Sequence, residues 1–135
     1  MRSPGISRDV GRASRANRNM RTEKEYRDLI AMGLRGNDRY TVDDIIEGIR
    51  SGVMQMFEEP EGILVSQIVQ CRNRRLVVFL QSGQNLRSWK DRAIARLKEF
   101  KAEQACEVLE FYCKPGLARI LKDDAQLEYV FMRIR

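Results

Sequence analysis

Arginine is the residue type whose number and spacing carry the clearest chemical signal in this chain of 135 residues. Six arginines stand within the first 22 residues, where Asp9 is the one acidic residue: Arg2, Arg8, Arg12, Arg15, Arg18 and Arg21. A guanidinium forms paired hydrogen bonds to a carboxylate or a phosphate, so the segment predicts docking onto an acidic protein surface or DNA. The rest of the chain is nearly balanced in charge, so the net charge of +6 describes a basic tail on a near-neutral body.

A second group of arginines falls in a short polar stretch between two apolar runs. Arg72, Arg74 and Arg75 are predicted to form the basic tip of a hairpin. Two interpretations stay open. The tip is either a solvated turn that discourages pairing between sheet edges, or a contact with nucleic acid or an acidic neighbour.

Several chemistries are excluded by what the chain lacks. It has no histidine, which rules out a Ser-His-Asp triad, a Cys-His dyad and any histidine-ligated metal. Cys71, Cys106 and Cys113 show no CxxC spacing and are predicted to be reduced thiols, so we expect no metal site. The apolar runs are too short to span a membrane. The N-terminus lacks the apolar stretch of a secretory signal, although its composition also resembles a mitochondrial presequence.

The elements that must position these residues follow from caps and periodicity. Residues 1–21 cannot bury enough apolar surface to fold alone and are predicted to be an extended arm, with one domain at residues 22–135. Capping patterns at Thr22 and Thr41 start two helices. The predicted later elements are strands at Val53–Glu58, Ile63–Gln70 and Leu76–Gln81, a helix from Ser88 to about Glu103, a strand at Glu107–Cys113, a helix from Pro115 to near Lys122 and a strand at Leu127–Ile134. This order, α-α-β-β-β-α-β-α-β, predicts a mixed α/β (α+β) sheet with an antiparallel meander and a parallel crossover pair.

The same order of elements resembles the GNAT acyltransferase fold. The resemblance covers about residues 40–135 and includes the run Leu76–Leu80 before a loop with Gly83, and Lys114-Pro115-Gly116-Leu117 after the penultimate strand. The succession is most similar to small GNAT-like proteins of the virion structural modules of tailed, especially short-tailed, bacteriophages. It implies a GNAT-like central sheet with flanking helices. It also implies a role in the internal core or at the portal and head-to-tail connection of a particle.

One departure from the active enzymes lies in the loop after the central strand. GNAT enzymes bind the acyl-CoA pyrophosphate on loop amides within an Arg/Gln-x-x-Gly-x-Gly/Ala motif, where small residues let the phosphate approach. In a register that starts at Gln81, Gln84 and Leu86 stand at the small positions. In a register that starts at Gln84, Arg87 and Trp89 stand there. The chain is therefore expected to be a degenerate acyltransferase fold with no cofactor and no enzymatic activity.

For a few residues, both a functional and a purely structural role stay open. Glu110 and Tyr112 either do catalysis or belong to a half-exposed strand face. Residues 83–85 either keep a vestigial phosphate-binding turn or form an ordinary loop. Trp89 either stacks on a ligand or partner, or anchors its helix to the sheet through the face it shares with Ala93 and Leu97.

The resulting prediction is a structural protein made in the host cytoplasm and located in the virion. It would dock through its arginine arm onto portal, adaptor, tail or core proteins, or onto packaged DNA, with several copies arranged in a ring. An acetyl-CoA-dependent acyltransferase and a DNA-associated accessory protein stay open as alternatives. No membrane partner is expected.

Overall fold

The computed structural model of the chain describes residues 20–126. Five of the six predicted arm arginines, namely Arg2, Arg8, Arg12, Arg15 and Arg18, lie outside these residues. The predicted last strand, Leu127–Ile134, also lies outside them.

Two helices open the described domain, and both begin where the capping patterns predict. Helix α1 spans Glu23–Gly33 and helix α2 spans Val42–Ser51. The Thr22 hydroxyl accepts a hydrogen bond from the Glu25 amide at 3.1 Å, and the Glu25 carboxylate accepts one from the Thr22 amide at 2.8 Å. Thr41 caps α2 in the same reciprocal way. These bonds satisfy amide groups that a helix start otherwise leaves without partners.

A four-stranded sheet follows, with the order β1-β2-β3-β4. The predicted meander is confirmed, because β1 pairs antiparallel with β2 and β2 pairs antiparallel with β3. Strand β4 runs parallel to β3, which confirms the predicted crossover. The bounds are β1 Met54–Glu59, β2 Gly62–Gln70, β3 Arg74–Gly83, helix α3 Leu86–Glu103, β4 Val108–Phe111 and helix α4 Pro115–Ile120.

Several predicted boundaries differ from the observed ones by one or two residues, as at the end of β3 and at both ends of β4, and two of the differences have a clear local cause. Strand β3 begins at Arg74 and not at Leu76, because Arg74 and Arg75 already pair with the end of β2. Helix α3 begins at Leu86 and not at Ser88. Its N-cap is Asn85, in the left-handed region with φ +58°, and the Ser88 hydroxyl donates to the Asn85 carbonyl instead of capping a helix.

The sheet separates two apolar cores. Helices α1 and α2 pack on one face, around residues that include Ile30, Ile45, Ile63 and Leu80. Helix α3 packs on the other face, around residues that include Phe57, Leu64, Leu76, Trp89, Leu97 and Phe100. Because side chains alternate between the faces of a strand, neighbours such as Ile63 and Leu64 enter different cores. Burial of both faces fixes the register of the sheet.

Candidate functional site

The two parallel strands diverge part of the way along β3. Pairing between β3 and β4 ends at Val78 and Phe111, where the amide of Tyr112 still donates to the Val78 carbonyl at 2.8 Å. Immediately beyond this point β3 has a bulge, since Val65 pairs with Leu80 but Ser66 pairs with Val78. A bulge bends its strand and redirects its side chains. A gap therefore opens between the later half of β3 and the chain that leaves β4.

This gap is a cleft of about 520 Å³, within the size range of ligand sites in proteins. The residues that line it come from the end of α1 and the loop after it, from β3, and from the segment between β4 and α4. They include Met32, Gly33, Asn37, Asp38, Arg39, Phe79, Gln81, Ser82, Gly83, Tyr112, Cys113, Lys114, Gly116 and Leu117. The lining mixes apolar, cationic and hydroxyl groups, as binding sites do.

Polar groups of the cleft come from β3 and from the segment after β4. The Ser82 side chain is 2% exposed, and within residues 20–126 its hydroxyl has no hydrogen-bond partner. Lys114 Nζ donates to the carbonyl of Arg35 at 2.6 Å, which ties the end of β4 to the chain after α1. Burial raises the pKa of the Cys113 thiol. A raised pKa leaves little thiolate at neutral pH, which argues against a nucleophilic cysteine.

The loop that follows β3 is folded against the β1–β2 turn. The Gln84 amide donates to the Glu61 carbonyl at 3.1 Å. Gly83 has φ +132°, and a methyl group on its Cα would lie 2.3 Å from that same carbonyl oxygen. Gly83 is therefore required by the contact between two loops of the domain. The Gln84 amide, which could face a phosphate in an open loop, is already used.

Trp89 holds the other side of this loop. Its side chain is fully buried, and its indole nitrogen donates to the Gln84 carbonyl at 2.9 Å. Leu86 is also buried in the core under α3. The prediction that Trp89 anchors its helix to the sheet is confirmed, and its indole has no exposed surface on which a ligand could stack.

The three predicted hairpin arginines do not share one surface. Arg72 is exposed in the turn. Arg74 Nε donates to the Gln104 carbonyl at 2.8 Å, at the end of α3. Arg75 forms an ion pair with Glu110 on β4. The prediction that Arg74 and Arg75 belong to a solvated turn is wrong, because both lie in β3 and have partners within the domain.

The two residues with a catalytic interpretation have different surroundings. Glu110 is held by Arg75, and its second oxygen Oε1 is buried without a hydrogen-bond partner in the described part of the chain. Glu110 does not line the cleft, whereas Tyr112 lines it and has 41% of its surface exposed. The structure thus separates the two groups, and of the pair it is Tyr112 that can contact a molecule in the cleft.

Arg21, the last of the predicted arm arginines, is packed into the domain. Its guanidinium donates to Glu58 Oε1, to the Glu59 carbonyl and to the Pro60 carbonyl, each at 2.9 Å. The side chains of Arg21 and Glu58 are only 10% and 3% exposed. Arg21 therefore ties the start of the domain to the β1–β2 turn and leaves little surface for an outside partner.

The end of β1, next to this turn, holds two adjacent buried carboxylates, Glu58 and Glu59, whose burial the sequence pattern did not predict. Glu58 faces α1, where Tyr26 donates to it at 2.7 Å; burial and this bond raise the pKa of Tyr26 to about 12. Glu59 faces α3 and pairs with Arg92 at 3.0 Å and with Arg96. One signal in the sequence could have indicated this ion-pair cluster, namely Arg92 and Arg96, which are spaced four residues apart on one side of α3.

Metal-binding and membrane-spanning features are absent from residues 20–126. This part of the chain has no cluster of three or more potential metal ligands. None of its helices is long and apolar enough to cross a membrane.

Comparison with known proteins identifies the fold of the domain but assigns the chain to no family. No protein-family model matches the sequence, and no curated protein matches it. Among solved structures, a probable acetyltransferase is 8% identical with a TM-score of 0.60, covering 85% of this chain and 95% of its own. A transcriptional regulator from Bacillus halodurans C-125 is 10% identical, with a TM-score of 0.55 and the same coverage.

TTHA1254 from Thermus thermophilus is also similar. It is 18% identical to this chain, with a TM-score of 0.54 and coverage of 85% of this chain and 92% of its own. Because each of these matches covers 85% of the chain, the likeness extends over most of the described domain. The described domain therefore has a GNAT-like fold, as the sequence resemblance implied.

Proposed function

We propose that this chain is a non-enzymatic interaction protein of a tailed-phage particle, located in the internal core or at the portal and head-to-tail connection. The observation that carries the non-enzymatic part is the closed loop after β3. Gly83 and the Gln84 amide both serve the contact with Glu61, and neither register of the pyrophosphate motif has small residues at its small positions. The phage origin is supported by the sequence resemblance alone.

The arginine-rich segment supplies the docking chemistry of this proposal. Residues 1–19 contain five arginines, no lysine and the single acidic residue Asp9. They join the domain at Met20, beside the β1–β2 turn that Arg21 holds. Guanidinium groups suit carboxylates of a neighbouring protein or phosphates of packaged DNA. Several copies in a ring would repeat these weak contacts and so strengthen the whole attachment.

A second candidate function is an acetyl-CoA-dependent acyltransferase. The cleft beyond the β3–β4 pair favours it, because this gap between parallel strands has the volume of a ligand site and contains a buried hydroxyl. The closed loop argues against it. Binding of acetyl-CoA decides between the two candidates.

Deletion of residues 1–19 tests the docking role, and the deletion must stop before Arg21. Because Arg21 is part of the domain, we expect a chain that starts at Met20 to fold, whereas removal of Arg21 would also damage the β1–β2 turn. We expect the truncated chain to be incorporated into particles at least about tenfold less than the full chain, since most of the docking charge is gone. Quantitative mass spectrometry of purified particles measures this.

A matched variant separates arginine chemistry from charge. Five lysines in place of Arg2, Arg8, Arg12, Arg15 and Arg18 keep the charge and remove the planar paired donors. We expect this chain to be incorporated less than the full-length one and more than the truncated one. Equal incorporation of the truncated and full chains would refute the docking role. Absence of the full chain from particles would refute the virion assignment.

A further inference from the structure

We propose that the cleft between β3 and β4 receives an extended acidic peptide of a partner protein, which adds as a strand to the unpaired edge of β3. This proposal rests on the interaction function proposed above and gives it a second docking site. It is carried by the backbone edge, by the apolar rim and by the charge of the lining, which are independent features of the cleft.

The backbone edge is the first of these features. Strand β3 continues for five residues beyond its last pair with β4, from Phe79 to Gly83, and within residues 20–126 this part pairs only with β2. Its other edge faces the cleft. An extended peptide can use such an edge for main-chain hydrogen bonds, and a segment of about four residues spans roughly 13 Å.

The rim of the cleft supplies apolar contact. Within the described residues, the large apolar side chains that are exposed are those of Met20, Met32, Val53 and Tyr112. Met32 and Tyr112, which are 40% and 41% exposed, both line the cleft. Exposed apolar side chains that gather at one groove indicate an interaction surface, whereas single scattered ones do not.

The lining gives the charge of the partner. Arg39 and Lys114 are cations of the cleft, and Asp38 is its carboxylate. Lys114 donates a hydrogen bond to the neutral carbonyl of Arg35. A carboxylate of a bound peptide would accept a stronger, charge-assisted hydrogen bond from the same ammonium group. An acidic side chain therefore fits this position better than a basic one.

Ser82 indicates where the peptide lies. Ser82 is among the residues that line the cleft, and its hydroxyl oxygen is buried with no hydrogen-bond partner within the described residues. Buried polar groups almost always have a hydrogen-bond partner, so one without a partner in a cleft marks a place for a ligand atom. A peptide alongside β3 would bring a backbone or side-chain polar group to this hydroxyl.

Fluorescence anisotropy with synthetic peptides tests the proposal on the full-length chain. The probes are labelled five-residue peptides in which Val, Ile, Thr or Tyr alternate with Glu, and the controls carry Lys in place of Glu. We expect saturable binding of at least one acidic peptide, with a Kd on the order of 100 µM, and at least tenfold weaker binding of its lysine counterpart. Lys114→Glu is expected to weaken binding at least about tenfold.

Lys98→Glu is the matched control, because Lys98 is an exposed lysine of α3 outside the cleft; it is expected to leave binding unchanged. Amide shifts in NMR spectra should change at residues 79–83 and 112–114. No saturable binding, equal affinity for both charge types, or shifts elsewhere would overturn the peptide site. Micromolar binding of acetyl-CoA in the same assay, by competition, would instead overturn the proposed non-enzymatic function.

Discussion

Arg21→Ala is expected to lower the free energy of unfolding by about 3–5 kcal/mol, the typical loss when one partner of a buried ion pair is removed. Glu58 is almost fully buried, and without Arg21 its carboxylate would lose this ion pair while the hydrogen bond from Tyr26 stays. The carbonyls of Glu59 and Pro60 would also lose a donor. Urea unfolding of the full-length chain measures the difference.

Two further variants make the Arg21 result specific. Arg27→Ala removes an arginine that pairs with Asp43 at the surface, where its side chain is 39% exposed, and is expected to lower stability far less than Arg21→Ala does. The double variant Arg21→Met with Glu58→Leu removes both charges and is expected to recover most of the loss. A cost for Arg21→Ala no larger than that for Arg27→Ala would show that the arginine belongs to the tail and not to the domain.

Gly83→Ala is the second large effect that we expect, at about 2–6 kcal/mol of lost stability. The residue has φ +132°, a conformation that costs an alanine roughly 1–3 kcal/mol. Its new methyl group would also lie 2.3 Å from the Glu61 carbonyl oxygen, and overpacking of this kind costs about 1–3 kcal/mol more. Thermal or urea unfolding of the variant provides the measurement.

Gly116→Ala is the matched control for this prediction. Gly116 lines the same cleft, but the nearest atom to its added methyl group would be Arg119 Nη2 at 3.8 Å. We expect its effect to stay within about 0.5 kcal/mol. If Gly83→Ala were equally harmless, the glycine would not be needed for the contact with Glu61. The loop would then have no structural requirement to stay closed.

Local signals predicted much of this fold correctly. Thr22 and Thr41 start their helices because each cap needs only a hydroxyl and a carboxylate three residues apart. The meander followed from apolar runs separated by short turns, and the parallel β4 followed from the helix between two strands. Each of these features depends on residues that are near one another in the chain.

Features that depend on distant contacts were missed. Glu58 and Glu59 are acidic residues at a predicted strand end and turn, and their burial depends on partners distant in the chain, among them Arg21 and Arg96. Asn85 starts α3 through a left-handed backbone conformation, so Ser88 was the stronger sequence signal for a cap. The cleft was also missed, because it arises from a bulge in β3 and from the end of its pairing with β4.

Isothermal titration calorimetry of the full-length chain with acetyl-CoA tests the central claim most directly. Because the Gln84 amide and Gly83 are used within the domain, we expect no saturable heat at ligand concentrations up to about 1 mM, where even a Kd near 1 mM would be detected. Saturable binding with a micromolar Kd would contradict the account. It would favour the acyltransferase alternative over the non-enzymatic function.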